Sequence, residues 1–554
     1  MLARCIGLAV LLAAGPPNSA FAQGAPSPVA LSLQEAVDIA LARNPALSVE
    51  RIRSEAAQTE VVSESGRFDP VLKTSFGVNH RDNIIASRFY PTGLYVDVER
   101  LARFTVESKT KIGSTLTVGF DLRRLESTSN IQTLDPQYST NLVFGLTQPL
   151  LRDFGSDANT SRIRVAAVRA ATAHHVLVQH VAHLIRETEQ DYWRWAFARE
   201  QADLRQRSLE TATRLVAQVE TLFGAGKVAR TSVSGARAAL AQRKEDAIVA
   251  VSEAATAEDR LKLRLQVDLA ATLRATDSIT AADMPASSTL PSGVAIVPAS
   301  LTTMAQAAPI DHVASLESAL RRRPELLVLK RELEQREIEL RLAGNQVQPR
   351  LDLNAQYMRS GMAGLPSVVC VDPTAVVCVP AGSDVQETIF AGKTSPSDAL
   401  NSLFSRSPFD GWSAELRLEL PIQNRTAKAL RAGATLRQTE AQVRLQAARD
   451  EIVLEVRNAV RQADAARARI EAAREAVTAT DSQFTATRTQ FSAGLASSYE
   501  VLRVQDELDR AKVTELRALM DLNIAVTGLR LADMTILDHY GIQIEGQPAA
   551  TRSK

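Results

Sequence analysis

Apolar residues recur at alternating intervals of four and three positions over two long stretches of the chain. The same spacing, interrupted by polar residues, occupies residues 184–223 and, 268 positions later, residues 452–491. This seven-residue spacing predicts helices that pack along their length. The later series consists of Ile452, Val456, Ala459, Ala463, Ala466, Ile470, Ala473, Val477, Thr480, Phe484, Thr487 and Phe491.

The predicted helices are long, and each ends near a glycine. A continuous helix over residues 424–491 would extend roughly 100 Å at about 1.5 Å per residue, which is longer than a compact domain. Gly226 and Gly494 follow the two apolar series, and glycine readily takes the left-handed conformation that ends a helix. A further apolar pattern beginning at Leu508 follows the later turn. We therefore expect each long helix to fold back as an antiparallel hairpin.

Shorter segments alternate apolar with polar residues instead. In the second half of the chain the alternation runs through residues 351–357 and 412–420. Each segment predicts a strand with one apolar and one wet face. This pattern is typical of a membrane barrel, although a half-exposed sheet of a soluble domain shares it. In the first half, the apolar positions are Thr74, Phe76, Val78, Leu142, Phe144 and Leu146.

The two halves of the chain repeat one another. The segment LQEAVDIALARNP ends at Pro45 and parallels SLESALRRRP, which ends at Pro324, 279 residues later. The later prolines Pro70 and Pro349 have the same separation. Downstream, TQPL parallels ELPI and FGAG parallels FSAG. A period this long indicates duplication of one unit rather than an array of short repeats.

The first 22 residues have the features of an export signal. Arg4 supplies a positive charge, and residues 5–15 form an apolar core too short to span a bilayer. Ala20-Phe21-Ala22 fits the small-x-small cleavage rule, so the mature chain is expected to begin at Gln23. The alternative, an uncleaved anchor, needs a longer apolar run.

Charge and motifs exclude several classes of function. The 64 Lys and Arg residues balance 63 Asp and Glu residues, so the chain lacks the basic excess of a nucleic-acid-binding protein. The sequence contains neither a phosphate-binding loop nor the motifs of serine hydrolases and zinc proteases. We therefore expect no enzyme activity and no cofactor.

Histidines and cysteines are the candidate metal ligands and reactive groups of this sequence. The pair Cys370 and Cys378 remains after signal removal, in a loop rich in Gly and Pro, and predicts a local disulfide in an oxidising compartment. Four histidines cluster on the first long helix, but no nearby carboxylate or thiol completes a metal site, and a solvated helix face is expected. These histidines are His174, His175, His180 and His183.

The number of strands implies self-association. Two clear strands per repeat give four per chain, whereas membrane barrels begin at about eight strands and must close. Closure is required because lipid cannot satisfy the backbone groups of an open sheet edge. Several copies of the chain must therefore each supply a sector of one barrel.

These motifs together resemble the TolC family of outer-membrane efflux channels. The resemblance is carried by LSLQEAVDIALARNPAL, its counterpart at residues 315–326, TQPLLRDFG, ELPIQNR, FGAG and FSAG. It implies an α+β membrane protein: a homotrimer with a twelve-stranded barrel in the bacterial outer membrane, continued by a coiled-coil tunnel through the periplasm. It also implies that the helix turns, with Phe223, Gly226, Phe491 and Gly494, dock a periplasmic adaptor bound to an inner-membrane pump.

Two departures from the family pattern stand out. Members of the family narrow the periplasmic end with acidic residues, and Glu500 aligns with one such position while the next falls on Arg503. A purely acidic ring is therefore not expected, and an ordinary pair of solvated charges is the alternative. In addition, residues 104–107 and 115–121 of a long outer stretch form a possible added hairpin, which would raise the strand count above twelve.

The sequence thus predicts a signal peptide (1–22), a first repeat (23–270), a Pro/Ser/Ala linker (271–312), a second repeat (313–533) and a tail (534–554). The first repeat is expected to hold helices 33–66, 156–223 and 228–268 around an outer segment at 70–149. The second is expected to hold helices 314–346, 424–491 and 496–531 around an outer segment at 349–421. The predicted function is a passive exit duct of a tripartite efflux or type I secretion system; the alternative is a structural coiled-coil envelope protein without a pore.

Overall fold

The computed structural model describes residues 29–86, 93–129, 132–269, 273–275, 311–366, 368–369, 379–380, 392–405 and 409–544. The predicted signal peptide, most of the predicted linker and the cysteine pair Cys370 and Cys378 lie outside these ranges. The predicted disulfide and the predicted cleavage therefore stay predictions.

The elements follow the order of the repeats. The first half contains β1 (Val29–Leu31), α1 (Leu33–Arg43), α2 (Pro45–Ser65), β2 (Val71–Ile84), β3 (Leu94–Lys109), β4 (Thr115–Ser127), β5 (Leu134–Pro149), α3 (Ser156–Asn159), α4 (Ser161–Gly224), α5 (Arg230–Leu265) and β6 (Leu273–Ala275). The second half contains α6 (His312–Arg322), α7 (Pro324–Gln346), β7 (Arg350–Pro366), β8 (Val368–Val369), β9 (Val379–Pro380), α8 (Pro396–Phe404), β10 (Asp410–Glu419), α9 (Arg425–Ser492), α10 (Ser498–Ala532) and α11 (Ile536–His539).

The first helix of each repeat is broken, whereas the sequence predicted one continuous helix at 33–66 and another at 314–346. Asn44 ends α1 with an extended backbone (φ −68°, ψ 119°), and Arg323 precedes α7 with a similar one (φ −60°, ψ 124°). Each residue precedes a proline, whose ring disfavours helical dihedrals in the residue before it. The break therefore recurs at the same point of both repeats.

The long helices bury most of the predicted apolar series. In α9, Ile452, Val456 and Ala463 are buried, and Val460 is buried beside the predicted position Ala459. Farther along α9, Ala466, Ile470 and Ala473 pack with residues of α10 in one hydrophobic cluster. The spacing of the sequence therefore marks the packed face of this helix correctly. Within the described residues, no helix combines the length and apolar character needed to cross a bilayer.

Six of the described strands form one antiparallel sheet in the order β10-β7-β5-β4-β3-β2. The register is continuous over long stretches: β2 pairs with β3 from Val71↔Glu107 to Ile84↔Leu94. The two halves of the chain meet between β5 and β7, where Phe144 lies opposite Tyr357. The possible hairpin at residues 104–107 and 115–121 is confirmed as β3 and β4, which are longer than expected.

The chain forms two compact units. The described part of the first unit comprises residues 29–45, 182–269, 273–275, 311–312 and 457–543. One of its cores gathers Tyr192 and Trp195 of α4 around Leu31, and the Tyr192 hydroxyl donates to the Leu31 carbonyl oxygen at 3.2 Å. In this unit β1 pairs in parallel with β6, a contact that sequence analysis missed because each strand has only three residues.

The second unit, which includes residues 46–181 and 313–456, carries the sheet. Helix α8 packs on β5 and β7, and Ser395 opens it with a capping box in which Asp398 takes part. Gly361 of β7 makes this contact possible, since a Cβ at that position would lie 2.2 Å from the Ala399 carbonyl oxygen. The sequence analysis treated this region as an outer loop and missed the helix.

Candidate functional site

One face of the sheet is polar on all six strands. Side chains alternate between the faces along each strand, and the register shows which residues of neighbouring strands share a face. On this face, one row of residues that lie opposite one another on neighbouring strands crosses the β3–β4 hairpin. It contains Ser75, Arg103, Asp121, Asn141 and Ser360. In β10 the same face carries Ser413, Glu415, Arg417 and Glu419.

The opposite face is apolar over a continuous band. Its residues on the two outer strands are among the most exposed large apolar residues of the chain; Phe76 is 73% and Trp412 is 81% exposed. Apolar residues on such exposed surface indicate contact with lipid or another apolar partner. The band comprises Leu72, Phe76 and Val78 of β2, Ala102, Phe104 and Val106 of β3, Leu116, Val118, Phe120 and Leu122 of β4, Leu142, Phe144 and Leu146 of β5, Leu351, Leu353, Ala355 and Tyr357 of β7, and Ala414, Leu416 and Leu418 of β10.

Ion pairs link the strands on the polar face. Arg103 of β3 donates to Asp121 of β4, with Nε and Oδ1 2.8 Å apart. Lys73 of β2 pairs with Glu107 of β3 on the same face. Charges of both signs therefore line this face, which suits contact with water and not with lipid.

The apolar band ends in charged and aromatic residues. On the same face, Arg100 lies 3.1 Å from Glu126 (Nη1 to Oε2), and the Arg124 guanidinium lies 5.9 Å from the centre of the Tyr138 ring. Paired charges and an amphipathic ring are typical of the level where a membrane surface meets water. Along the strands, this face therefore changes from apolar residues to charged and aromatic residues, as a membrane-spanning sheet requires.

The helix turns are nearly identical in geometry. Gly226 and Gly494 have φ values of 73° and 76°, in the left-handed region. The Lys227 N–H donates to the Leu222 carbonyl oxygen at 2.9 Å, and the Leu495 N–H donates to the Gln490 carbonyl oxygen at 2.8 Å. These bonds close both helices with the same C-terminal motif, as the sequence predicted.

The two phenylalanines of these turns lie in different environments. Phe491 packs against a cluster that includes Val219, Val233 and Val501, whereas Phe223 is 43% exposed. The two repeated turns therefore have the same backbone conformation, but their phenylalanines differ in exposure. Phe223 is the better placed of the two for contact with a partner.

The structure gives Glu500 and Arg503 local partners. The Glu500 carboxylate accepts from the Ser497 N–H at 2.9 Å and caps the start of α10. The Arg503 guanidinium donates to Glu507 at 2.8 Å. Both pairs are exposed, so the two charges remain on the surface, but each is held by a neighbour that sequence analysis did not consider.

A buried ionic cluster joins α4, α5 and α10 in the first unit. Arg243 of α5 lies 2.8 Å from Asp506 and 3.6 Å from Asp509 of α10. The Ser208 hydroxyl of α4 donates to Asp509 at 2.6 Å. Burial raises the pKa of Asp509, while the Ser208 hydrogen bond and Arg243 act in the opposite direction.

Sequence analysis missed this cluster, although a signal for it was present. Arg243 stands in an apolar series of α5 with Ala236, Ala247 and Ala250, all of which are buried. A charged residue on the buried stripe of a helix needs a paired charge, because burial of a lone charge is costly. The interruption therefore predicts a partner, although the partner lies 263 to 266 positions away.

A second buried acid lies where α4 meets α10. Glu189 is 1% exposed and accepts a hydrogen bond from Thr527, with the Tyr540 ring in the same buried site. Burial raises the pKa of Glu189, against the effect of the Thr527 hydrogen bond. Burial and the nearby Glu189 carboxyl raise the pKa of Tyr540 as well. The fold thus favours the protonated form of Glu189.

The histidines do not assemble a metal site in the described parts of the chain, which contain no group of three His, Cys, Asp or Glu side chains able to hold an ion. The ring centres of His174 and His175 lie 5.9 Å apart, and burial lowers the pKa of both. His180 lies 4.0 Å from Glu50. The predicted solvated face is therefore only partly correct, since His174 is buried.

A long antiparallel sheet with one apolar and one charged face, attached to long helical hairpins, defines a protein of the outer-membrane channel class. A sequence model of the outer membrane efflux protein family matches residues 36–265 and 315–533. The chain therefore belongs to the outer membrane efflux protein family, and its place is the bacterial outer membrane. This family does not consist of enzymes.

Solved structures share the fold at low sequence identity. A membrane protein from Pseudomonas aeruginosa aligns with a TM-score of 0.59 and 16% identity, covering 90% of this chain and 92% of that one. The outer-membrane channel OprN gives 0.57 and 16%, covering 90% and 89%. VceC from Vibrio cholerae gives 0.57 and 14%, covering 90% and 95%. A search of curated proteins gives no match.

Proposed function

We propose that this protein is the passive outer-membrane exit duct of a tripartite efflux or type I secretion system, and that three copies form one channel. The observation that carries the proposal is the six-stranded sheet, whose faces differ in polarity and whose outer strands β2 and β10 each have one neighbouring strand among the described residues. Lipid on the apolar face and water on the charged face would satisfy both surfaces.

The sheet edges favour closure by further copies of the chain. Every neighbouring pair of strands in the sheet is antiparallel, so β2 and β10 at its two edges run in opposite directions. β10 of one copy can therefore pair with β2 of the next in the antiparallel manner of the rest of the sheet. Copies joined in this way form a ring without an edge, as a bilayer requires.

The other end of the duct would be formed by the helical hairpins. The turns at Gly226 and Gly494 would dock a periplasmic adaptor, which would connect the duct to an inner-membrane pump. The pump would supply the energy, since the chain carries no phosphate-binding motif. Glu500 and Arg503 would lie near the narrow end, and the buried Arg243 cluster would hold α10 against α4 and α5.

Membrane fractionation and bilayer recording test the proposal. The full chain should stay with outer membranes after a salt wash, dissolve only in detergent, run as a trimer and conduct ions in planar bilayers. Release by salt alone, or a monomer without conductance, would overturn the duct and favour the alternative of a structural envelope protein.

A further inference from the structure

We infer that the barrel wall of this protein contains eighteen strands instead of twelve, which makes its membrane section correspondingly wider. The inference rests on the proposed function, because it takes three copies of the chain per channel. Its own evidence is the hairpin formed by β3 and β4.

Comparison of the two repeats shows that this hairpin is an insertion. In the first repeat, β2 follows the first helical segment and β5 precedes the long helix α4. In the second repeat, β7 and β10 have the same two positions, before the long helix α9. Among the described residues, the second repeat contributes β7 and β10 to the sheet, whereas the first contributes β3 and β4 in addition to β2 and β5. Without the hairpin each copy would supply four strands; with it, each supplies six.

The inserted strands belong to the wall by their pairing. β2 pairs with β3 over the full length of β2, from Val71↔Glu107 to Ile84↔Leu94, and β4 pairs with β5 from Thr115↔Thr147 to Leu125↔Gln137. The hairpin thus separates β2 from β5 and leaves no direct pairing between them. A hairpin that only decorated a loop would leave those two strands adjacent.

The inserted strands also have the two faces of a membrane wall. Phe104 and Val106 of β3 and Val118 and Phe120 of β4 continue the apolar band of the other strands. Their polar neighbours continue the charged face, where Arg103 pairs with Asp121. Such alternation places one face toward lipid and the other toward water.

The turn of the hairpin is fixed to the end of the sheet nearest the helices. The Gly155 N–H donates to the Ile112 carbonyl oxygen at 3.1 Å, and the Ser114 hydroxyl donates to Gln148. Gly113 has φ +100°, and a Cβ there would lie 2.5 Å from the Asp153 carbonyl oxygen. The hairpin is therefore built into the base of the wall.

The width of a barrel follows from its strand number. With strands about 4.8 Å apart and tilted by about 40°, eighteen strands give a backbone diameter of about 36 Å, against about 24 Å for twelve. The cross-section enclosed by the backbone rises about twofold. Charges of both signs on the inner face would keep this opening wet without selecting cations or anions strongly.

Paired cysteine variants test whether the hairpin lies in the wall. Thr105→Cys and Val106→Cys probe the two faces of β3, and Thr117→Cys and Val118→Cys probe those of β4. In liposomes, a water-soluble maleimide should label the threonine positions at least about tenfold faster, because apolar surroundings suppress the reactive thiolate. Labelling is counted as the increase over the wild-type chain, which carries Cys370 and Cys378.

Ser75→Cys and Phe76→Cys on β2 provide the matched control. If this pair alternates while the pairs on β3 and β4 label equally fast, the inference is overturned and the duct itself stands. If the β2 pair does not alternate either, the sheet does not span the membrane, and the proposed function falls with the inference. An electron-microscopy reconstruction of the wild-type trimer gives a second measurement: eighteen strands support the inference, and twelve contradict it.

Discussion

At the scale of single residues, the helical region depends on a few buried polar groups. Arg243, Asp509 and Glu189 are each less than a tenth exposed, yet only the first two neutralise each other. A buried ion pair adds little net stability, but loss of one partner leaves an uncompensated charge. Glu189 accepts a hydrogen bond from the Thr527 hydroxyl, whereas Asp509 lies beside the Arg243 guanidinium, so the two acids are expected to respond differently to substitution and to pH.

Glu189→Gln is expected to stabilise the protein increasingly as pH rises. The folded pKa lies above the ordinary value of 4.5, so the fold favours the protonated acid and loses stability as pH climbs through the interval between the two. The variant cannot ionise and should lack this loss. Thermal unfolding followed by circular dichroism in detergent, at several pH values, measures the difference.

The control for this prediction is Glu210→Gln, an exposed position on the same helix with the same change of charge. It should leave the pH dependence of the wild type unchanged. If the unfolding temperatures of the wild type and of Glu189→Gln depend on pH in the same way, ionisation of the buried carboxyl does not destabilise the fold.

Arg243→Met is expected to destabilise the first unit by about 3 kcal/mol, because it removes the guanidinium that pairs with both Asp506 and the buried Asp509. Arg237→Met on the same helix removes an exposed pair with Glu220 and should cost less than about 1 kcal/mol. Denaturant unfolding compares the two variants. Equal effects would mean that the cluster contributes no more than a surface ion pair.

At the scale of elements, the sequence predicted what depends on local periodicity and missed what depends on distant partners. The long helices, their glycine turns and the faces of the strands follow from spacing along the chain, and the structure shows each of them. The breaks at Asn44 and Arg323 could have been predicted from the prolines that follow. A start signal for helix α8 was present in Ser395, Pro396 and Asp398, whereas the β1–β6 pair was beyond reach, since such short strands are stabilised by tertiary contacts that leave no repeat in the sequence.

The turn after α9 gives a prediction at this scale. Gly494→Ala forces a side chain into the left-handed region, at a cost of about 1–2 kcal/mol. The Leu495 N–H bond to Gln490 should open more often, and its hydrogen exchange should accelerate about fivefold or more. Hydrogen-exchange mass spectrometry of the full chain measures this rate.

Gly433→Ala is the matched change within the interior of α9, where no atom crowds the added Cβ. There alanine should favour the helix by about 0.5–1 kcal/mol and slow local exchange. Faster exchange at both sites would indicate that the conformation of Gly494 is not the cause.

At the scale of the whole molecule, formation of the proposed channel depends on the seam between copies, where β10 of one copy would pair with β2 of the next. The Ser360 N–H donates to the Phe409 carbonyl oxygen at 2.8 Å, which makes these two residues a bonded pair at the start of the β10–β7 ladder. Bonded pairs alternate along antiparallel strands, so odd-numbered residues of β10 bond to β7. Even-numbered residues such as Ala414 direct their N–H groups to the free edge, where the next copy would pair.

Ala414→Pro is therefore expected to reduce trimer yield while each chain keeps its own sheet, because proline removes only the outward donor. Ser413→Pro removes a donor to β7 and should disturb the sheet within the chain. Size-exclusion chromatography in detergent reports assembly, and circular dichroism reports strand content. Full trimer yield with Ala414→Pro would exclude β10 as the seam strand.

The inserted hairpin shows that each copy must contribute an even number of strands to such a ring. One additional strand per copy would make β10 and β2 run the same way and spoil the match at every junction, whereas a hairpin restores the original directions. Under threefold repetition the circumference can then change only in increments of six strands. The diameter of the barrel could thus change in evolution through the gain or loss of one short gene segment that encodes a hairpin, with the helical hairpins unchanged.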